Sequence, residues 1–363
     1  MAIEIEQAEL LRLRLAGQRI APPADTGAAE VVRHLVAMQA QDFGQALWAL
    51  GLRTPGATRK QVLAEFAHGT IVRSWPMRGT LHFVAPDDLR WMLRLTAART
   101  LASAATRQRQ LGLDQDTLDR SRDIARRELT GGGALSRTEF MALLESAGIA
   151  TAGQRGYYTI WYLAETGLLC WGPPRGAGQA LVLLDEWAPA TEEPSRDEAL
   201  RRFALGYFRS HGPATLKDFA WWSKMTMSDA KRGLAEARDE LTEVSCAGGS
   251  YWMSPSQLAA TPSEWSVHAL PGFDEYLLGY QDRSDALPAE HANRIVPGGN
   301  GIFLPVILAR GQVVGTWRRA VGKAGVSVTA EPFGRLAARD AAGFSRAVNA
   351  FANFVGLPAA DAA

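Results

Sequence analysis

His211-Gly212-Pro213-Ala214-Thr215-Leu216-Lys217-Asp218-Phe219-Ala220, continued by Thr226-Met227-Ser228-Asp229-Ala230-Lys231-Arg232, is the stretch whose reading decides the fold. Before it, Glu198 to Ser210 has helical character, and Gly212 with Pro213 ends that helix because neither residue continues one well. A turn leads into a second helix through Phe219 and Ala220. Thr226 opens a third, running to Leu241. Leu241 to Met253 then reads as two strands around Gly248-Gly249. Helices followed by a short β-ribbon form the winged-helix pattern, a variant of helix-turn-helix.

Working outward, the same order recurs twice. In the first part, helical spacing covers Glu6 to Ala16, and Val31, Val32, Leu35, Val36 and Met38 repeat with a helical period. Another helix spans Thr58 to Ala67, with Thr58 at its N-cap and Gly69 ending it. The run Ile71 to Val84 is rich in strand formers, bent at Pro76 and Gly79, and Asp87-Asp88 starts a helix through Trp91, Leu93 and Leu95. In the middle part, Ser136 and Glu139 have the spacing of a capping box. Gly153 to Leu163 is the candidate recognition helix there, Leu168 begins a strand, and Gly172 to Gly178 is a loop at the wing tip. After Pro255 the texture changes. Ile302 to Leu308 and Gln312 to Arg318 are strand-like around an Arg310-Gly311 turn, Ser327 to Pro332 adds a strand, and Phe344 to Val355 closes with a helix. The expected fold class is α+β, mainly helical. Its segments are a first winged-helix unit (1–100), a second (101–190), a third (196–256), a β-rich segment (265–335) and a closing helix (338–357).

Composition narrows the function classes. The chain has 363 residues, 47% hydrophobic and 21% charged, enough for several packed units. No apolar run reaches the roughly 18 residues of a membrane span. The first ten residues carry Glu4, Glu6 and Glu9, unlike a secretory signal. Two cysteines, Cys170 and Cys246, make neither a disulfide framework nor a zinc spacing and suit a reducing cytosol. The net charge of +1 counts mildly against a nucleic-acid binder. Arginine dominates the cations, which suits bidentate phosphate contacts but equally a GC-rich genome.

Four segments together resemble a known family: Met38-Gln39-Ala40-Gln41-Asp42; Arg73 to His82 with Trp75-Pro76-Met77-Arg78-Gly79; Pro271-Gly272-Phe273-Asp274-Glu275-Tyr276 with Gly279-Tyr280-Gln281-Asp282-Arg283; and Val314-Gly315-Thr316-Trp317-Arg318-Arg319. Over Val31 to Phe354 the chain is similar to the AlkZ-like winged-helix DNA glycosylases, the family of the azinomycin-resistance enzyme. The resemblance implies three tandem winged-helix units around a concave DNA channel and excision of N7-alkylated purines, with interstrand crosslinks unhooked in one member. Its catalytic signature is Gln-x-Gln in one branch and Gln-x-Asp in another. Gln39 and Gln41 match the first branch, and Asp42 lies one residue off the second.

The chemistry is compatible with those residue types. N7 alkylation leaves the purine cationic, so the base departs readily and no strong general acid is needed. The enzyme must hold the base out of the stack, place a water below C1′ and stabilise positive charge on the sugar. Glutamine carbonyls do the last two without titrating. Residues i and i+2 cannot share a helical face, so both glutamines belong in a loop between the Val31 helix and Phe43. Read without the resemblance, the pair could simply cap a helix end. Asp42 is a rival base, since a carboxylate is the stronger one.

Arg73, Arg78 and His82 could contact phosphates or the abasic sugar, or form a solvated wing with His82 bonded in the core. Trp75 and Trp317 could stack on a base, although core packing suits them better. Arg310-Gly311 could enter the minor groove or be an ordinary turn. Arg155, Lys231 and Arg232 are further candidate phosphate contacts, each otherwise part of a solvated face. Asp274, Glu275, Asp282 and Arg283 could form a metal or catalytic cluster, but a structural ion-pair network is the better reading. No lysine adjoins the glutamines, which argues against a Schiff-base lyase. The expectation is therefore a monofunctional glycosylase without metal or organic cofactor. It acts as a monomer on double-stranded DNA carrying alkylated purines, in a bacterial cytoplasm at the nucleoid. The alternatives are a winged-helix transcription regulator, which would usually be a symmetric dimer, and a non-catalytic damage binder.

Overall fold

The computed structural model describes residues 3–23, 25–176, 178–188, 192–259, 264–323 and 325–359. It contains two compact units, Met1–Val62 with Leu200–Ala363 (unit 1) and Leu63–Ala199 (unit 2). Both mix helices and strands, with helices predominating. Among the described residues, no helix is long and apolar enough to cross a membrane.

Unit 2 is built on strands in the spatial order Thr80–Val84, Val72–Met77, Leu169–Arg175, Gly178–Leu183, each antiparallel to its neighbour. The register slips between Ser74 and Met77, around Pro76, which has no N–H to give the ladder. Arg78 and Gly79 close this hairpin with φ of 58° and 65°. The expected Gly172–Gly178 loop is shorter than the sequence suggests: the strand continues through a bulge between Trp171 and Pro174 to Arg175. Of that segment, 177 lies outside the described residues. The helix announced by Asp87-Asp88 is Pro86–Gln110, extending well past Leu95 where its apolar spacing fades. The Ser136–Glu139 capping box forms, with Glu139 N donating to Ser136 Oγ at 3.2 Å and Ser136 N to Glu139 Oε2 at 2.6 Å. Leu129, Phe140, Leu144, Ile160, Trp161, Leu169 and Leu181 fill the core against this sheet.

In unit 1 the deciding stretch folds as read. Helix Leu216–Ser223 starts at a Thr215–Asp218 capping box, Thr226 caps Met227–Ala237, and strands Thr242–Cys246 and Gly249–Met253 form a hairpin. Ile3–Glu4 adds a parallel strand to that hairpin. A second sheet runs in the order Val326–Pro332, Gln312–Val321, Val306–Ala309, Val267–Leu270. Its third member begins at Val306 rather than Ile302, consistent with Pro305 having no N–H for a ladder. Helix Ala338–Val355 covers the sheet: Phe351 lies 5.6 Å from Trp317 and 5.1 Å from Trp48, on helix Phe43–Arg53. Trp48 and Trp317 each donate an indole N–H to a strand carbonyl, Ala269 O and Leu270 O, at 2.8 Å.

Candidate active site

The glutamine pair lies where the chain leaves helix Ala28–Leu35. Val36 follows that helix at φ 66° and ψ −54°. This is the region of the rare γ-turn conformation, strained for a β-branched residue. Packing holds it there: a Cβ added at Gly206 would lie 2.3 Å from Val36 Cγ2, so the valine occupies space that only glycine leaves open. After this turn Ala37–Gln39 is extended, and Phe43 begins the next helix. The segment is therefore partly strand, where a loop was expected.

The two glutamines differ in environment. Gln39 is 7% exposed, and its backbone N–H donates to Glu275 Oε1 at 2.7 Å. Its side-chain carbonyl oxygen is buried and has no donor among the described residues. Gln41 and Asp42 are exposed. Asp42 Oδ1 accepts the Gln45 N–H at 3.0 Å, so the carboxylate caps helix Phe43–Arg53. Gln45 Oε1 accepts from Gly272 N at 3.1 Å and from Arg319 Nη1 at 2.8 Å. Burial pushes the Arg319 pKa below its ordinary value, while nearby Asp42 pulls it back up.

Behind Gln39 the four-residue cluster read from the sequence is dispersed. Asp274 pairs with Arg53, a residue the sequence does not single out, through two 2.8 Å bonds. Arg53 also donates to Gln18 O, Gln18 Oε1 and Ala49 O, so all five of its N–H groups are used. Glu275, fully buried, accepts the Trp222 indole N–H at 2.9 Å on Oε2, with His211 Nε2 3.4 Å from the same oxygen. Asp282 Oδ1 accepts from Ser284 N, and Arg283 donates to Leu277 O while stacking on Trp221 and Phe303. Among the described residues no group of three or more His, Cys, Asp or Glu is placed to hold a metal ion.

The remaining candidates divide between the units. In unit 2, His82 is fully buried. Its Nε2 accepts from Arg78 Nη2 at 3.0 Å, which makes Nδ1 the protonated nitrogen, donating to Thr80 O at 2.8 Å. Arg73 is half-buried on its strand opposite Phe83 and Trp171, and Trp75 is in the core. Arg155 ties the start of its helix to Ala150 O and Leu111 O. In unit 1, Lys231 and Arg232 are exposed on helix Met227–Ala237. Arg310 pairs with Asp340 at 2.9 Å, and Gly311 is buried, its carbonyl accepting the Tyr276 hydroxyl at 2.8 Å.

Two features escaped the sequence reading. Glu165, 2% exposed in unit 2, has its pKa pushed up to about 8 by burial, partly offset by the nearby Trp161 indole. A cavity of about 590 Å³ opens in unit 1 among Trp48, Leu52, Val267, His268 and Phe354, but neither Gln39 nor Gln41 lines it. Nothing in the amino-acid pattern announces either, because both arise from residues distant along the chain.

Comparison with known proteins gives the family. The family model described as "DNA glycosylase AlkZ-like" matches residues 32–354. An interstrand DNA cross-link repair glycosylase of Streptomyces sahachiroi is 28% identical over 323 residues, covering 84% of this chain and 85% of that protein. The solved structure of the Streptomyces sahachiroi DNA glycosylase AlkZ superposes with a TM-score of 0.81 at 26% identity, covering 99% of this chain and 100% of that one. The chain belongs to the AlkZ-like DNA glycosylase family and is a DNA N-glycosylase.

Proposed function

We propose that this glycosylase is monofunctional and removes cationic N7-alkylated guanine or adenine from double-stranded DNA, with Gln39 and Gln41 placing the attacking water. The observation that carries the reading is the Gln39 carbonyl oxygen, buried and without a donor among the described residues. An unsatisfied buried acceptor costs free energy and persists where something else fills it. A water held there would sit beside a partial negative charge, and that charge also favours the cationic sugar. Asp42, capping a helix, is the weaker candidate for this work.

The wider assignment belongs to the same proposal. Three winged-helix units (1–100, 101–190, 196–256), with 265–335 and 338–357, would form a DNA channel. Arg73, Arg78, Arg155, Lys231, Arg232 and Arg310 would contact the duplex, His82 holding Arg78, while Gly311, buried against Tyr276, is left out of that surface. The protein would work as a monomer at the bacterial nucleoid. The named activity of the Streptomyces relative extends the substrate class to interstrand crosslinks.

The test is release of free base from duplex DNA containing 7-methylguanine. Wild type should release it, and Gln39→Ala and Gln41→Ala should be about 100-fold slower or worse while still binding DNA. Full activity in both variants would remove the glutamines from the mechanism and make Asp42→Asn the next measurement. No release from this DNA or from bulkier N7 adducts would refute the N7-purine assignment.

A further inference from the structure

Glu275 takes no part in the chemistry just described, yet it is the polar group that meets the backbone of Gln39. Its carboxylate is fully buried, so its hydrogen bonds are hard to replace with water. Oε1 accepts the Gln39 N–H at 2.7 Å, and Oε2 accepts the Trp222 indole N–H at 2.9 Å. The His211 imidazole, 3.4 Å from Oε2, is itself held: Tyr207 stacks on it at 4.8 Å and 11°, and its Nδ1 lies 2.8 Å from Ser210 Oγ. Gly279 lets the ring come this close, since a Cβ there would fall 2.4 Å from His211 Cδ2. The carboxylate is thus fixed on one side by aromatic packing and on the other grips the residue whose side-chain oxygen is unsatisfied.

We propose that Glu275 is a positioning residue for base excision, setting through the Gln39 N–H where the Gln39 carbonyl oxygen lies. The inference rests on the reading of Gln39 as the water-orienting group. Without that bond the Gln39 N–H would lose its buried acceptor and the strand end would be freer to shift. The charged acceptor pins it, and a displacement of about 1 Å at a reacting group costs on the order of 100-fold in rate.

Glu275→Gln tests this, because an amide has one oxygen to offer two N–H donors. Facing Trp222, the oxygen is lost to Gln39. Facing Gln39, its NH₂ opposes the indole N–H. Trp222→Phe removes the competing donor and frees the oxygen for Gln39. With 7-methylguanine DNA under single-turnover, saturating-enzyme conditions, Glu275→Gln should be at least 10-fold slower than wild type. Its DNA Kd should stay within about twofold and its backbone exchange at Gln39 should be faster. Glu275→Gln/Trp222→Phe should recover most of that rate, which a merely structural loss would not allow. The proposal is overturned if Glu275→Gln keeps the wild-type rate while Gln39→Ala loses it, or if the double variant is no faster than Glu275→Gln. It is also overturned if the Gln39 amide of the wild-type protein exchanges as fast as an unprotected one, a measurement that needs no variant to fold. If Gln39→Ala itself keeps full rate, the parent reading fails first and this inference with it.

Discussion

Asp274→Ala should destabilise unit 1 more than any surface change. Arg53 is fully buried and Asp274 is 4% exposed, and the carboxylate takes two of the five guanidinium N–H bonds. Truncation leaves a buried cation with two unsatisfied donors, and breaking one side of a buried pair costs about 3–5 kcal/mol. Asp274 Oδ1 also accepts the Tyr276 N–H at 2.9 Å, capping helix Glu275–Leu278, and a lost cap adds about 1 kcal/mol. For a unit of this size the sum lowers Tm by about 10 °C or more. Thermal melting followed by circular dichroism, with urea titration alongside, measures it. The double variant Arg53→Met/Asp274→Leu should melt above Asp274→Ala, because exchanging both partners for apolar groups removes the stranded charge. An Asp274→Ala protein melting within about 2 °C of wild type would refute the reasoning, since the pair would then be dispensable despite its burial.

Gly206→Ala places a methyl 2.3 Å from Val36 Cγ2, so an over-packing cost of about 1–3 kcal/mol should outweigh the roughly 1 kcal/mol that alanine gains in a helix. Base release should slow in this variant because Val36 leads into Gln39; an unchanged rate with unchanged stability would show that the Val36 turn is not held by this contact. Glu165 binds a proton in the folded state up to about pH 8 but in the unfolded chain only to its ordinary value, so it contributes least penalty below about pH 4.5 and stability falls as pH rises toward 8. Glu165→Gln should therefore raise the urea midpoint of unit 2 at pH 8 and change it little at pH 4.5; equal effects at both would contradict the assignment. His34 and His268 have pKa values lowered to about 4, in both cases chiefly by burial. The folded state then binds fewer protons than the unfolded one between about pH 6.5 and 4, and stability should fall on acidification through that window. Ring titrations by NMR near pH 6.5 for both histidines would rule this out.

Local signals were legible in the amino-acid order. The Ser136–Glu139 box, the helix start at Thr226 and the bend at Pro76 and Gly79 act within three or four residues, and each forms as its pattern implies, while the hairpin read around Gly248-Gly249 turns one residue earlier, at Ala247-Gly248. So does the helix, helix, hairpin order of 216–253. Where the pattern weakens, element ends were misjudged: Pro86–Gln110 runs on with a largely polar surface, and Val306–Ala309 is cut short after Pro305. Only the tertiary structure decided how the candidate site is held. The Gln39–Glu275 and Arg53–Asp274 bonds join residues 236 and 221 positions apart. Whether a glutamine carbonyl is capped, solvated or left buried without a donor depends on what the rest of the chain brings to it, and burial has no local signature.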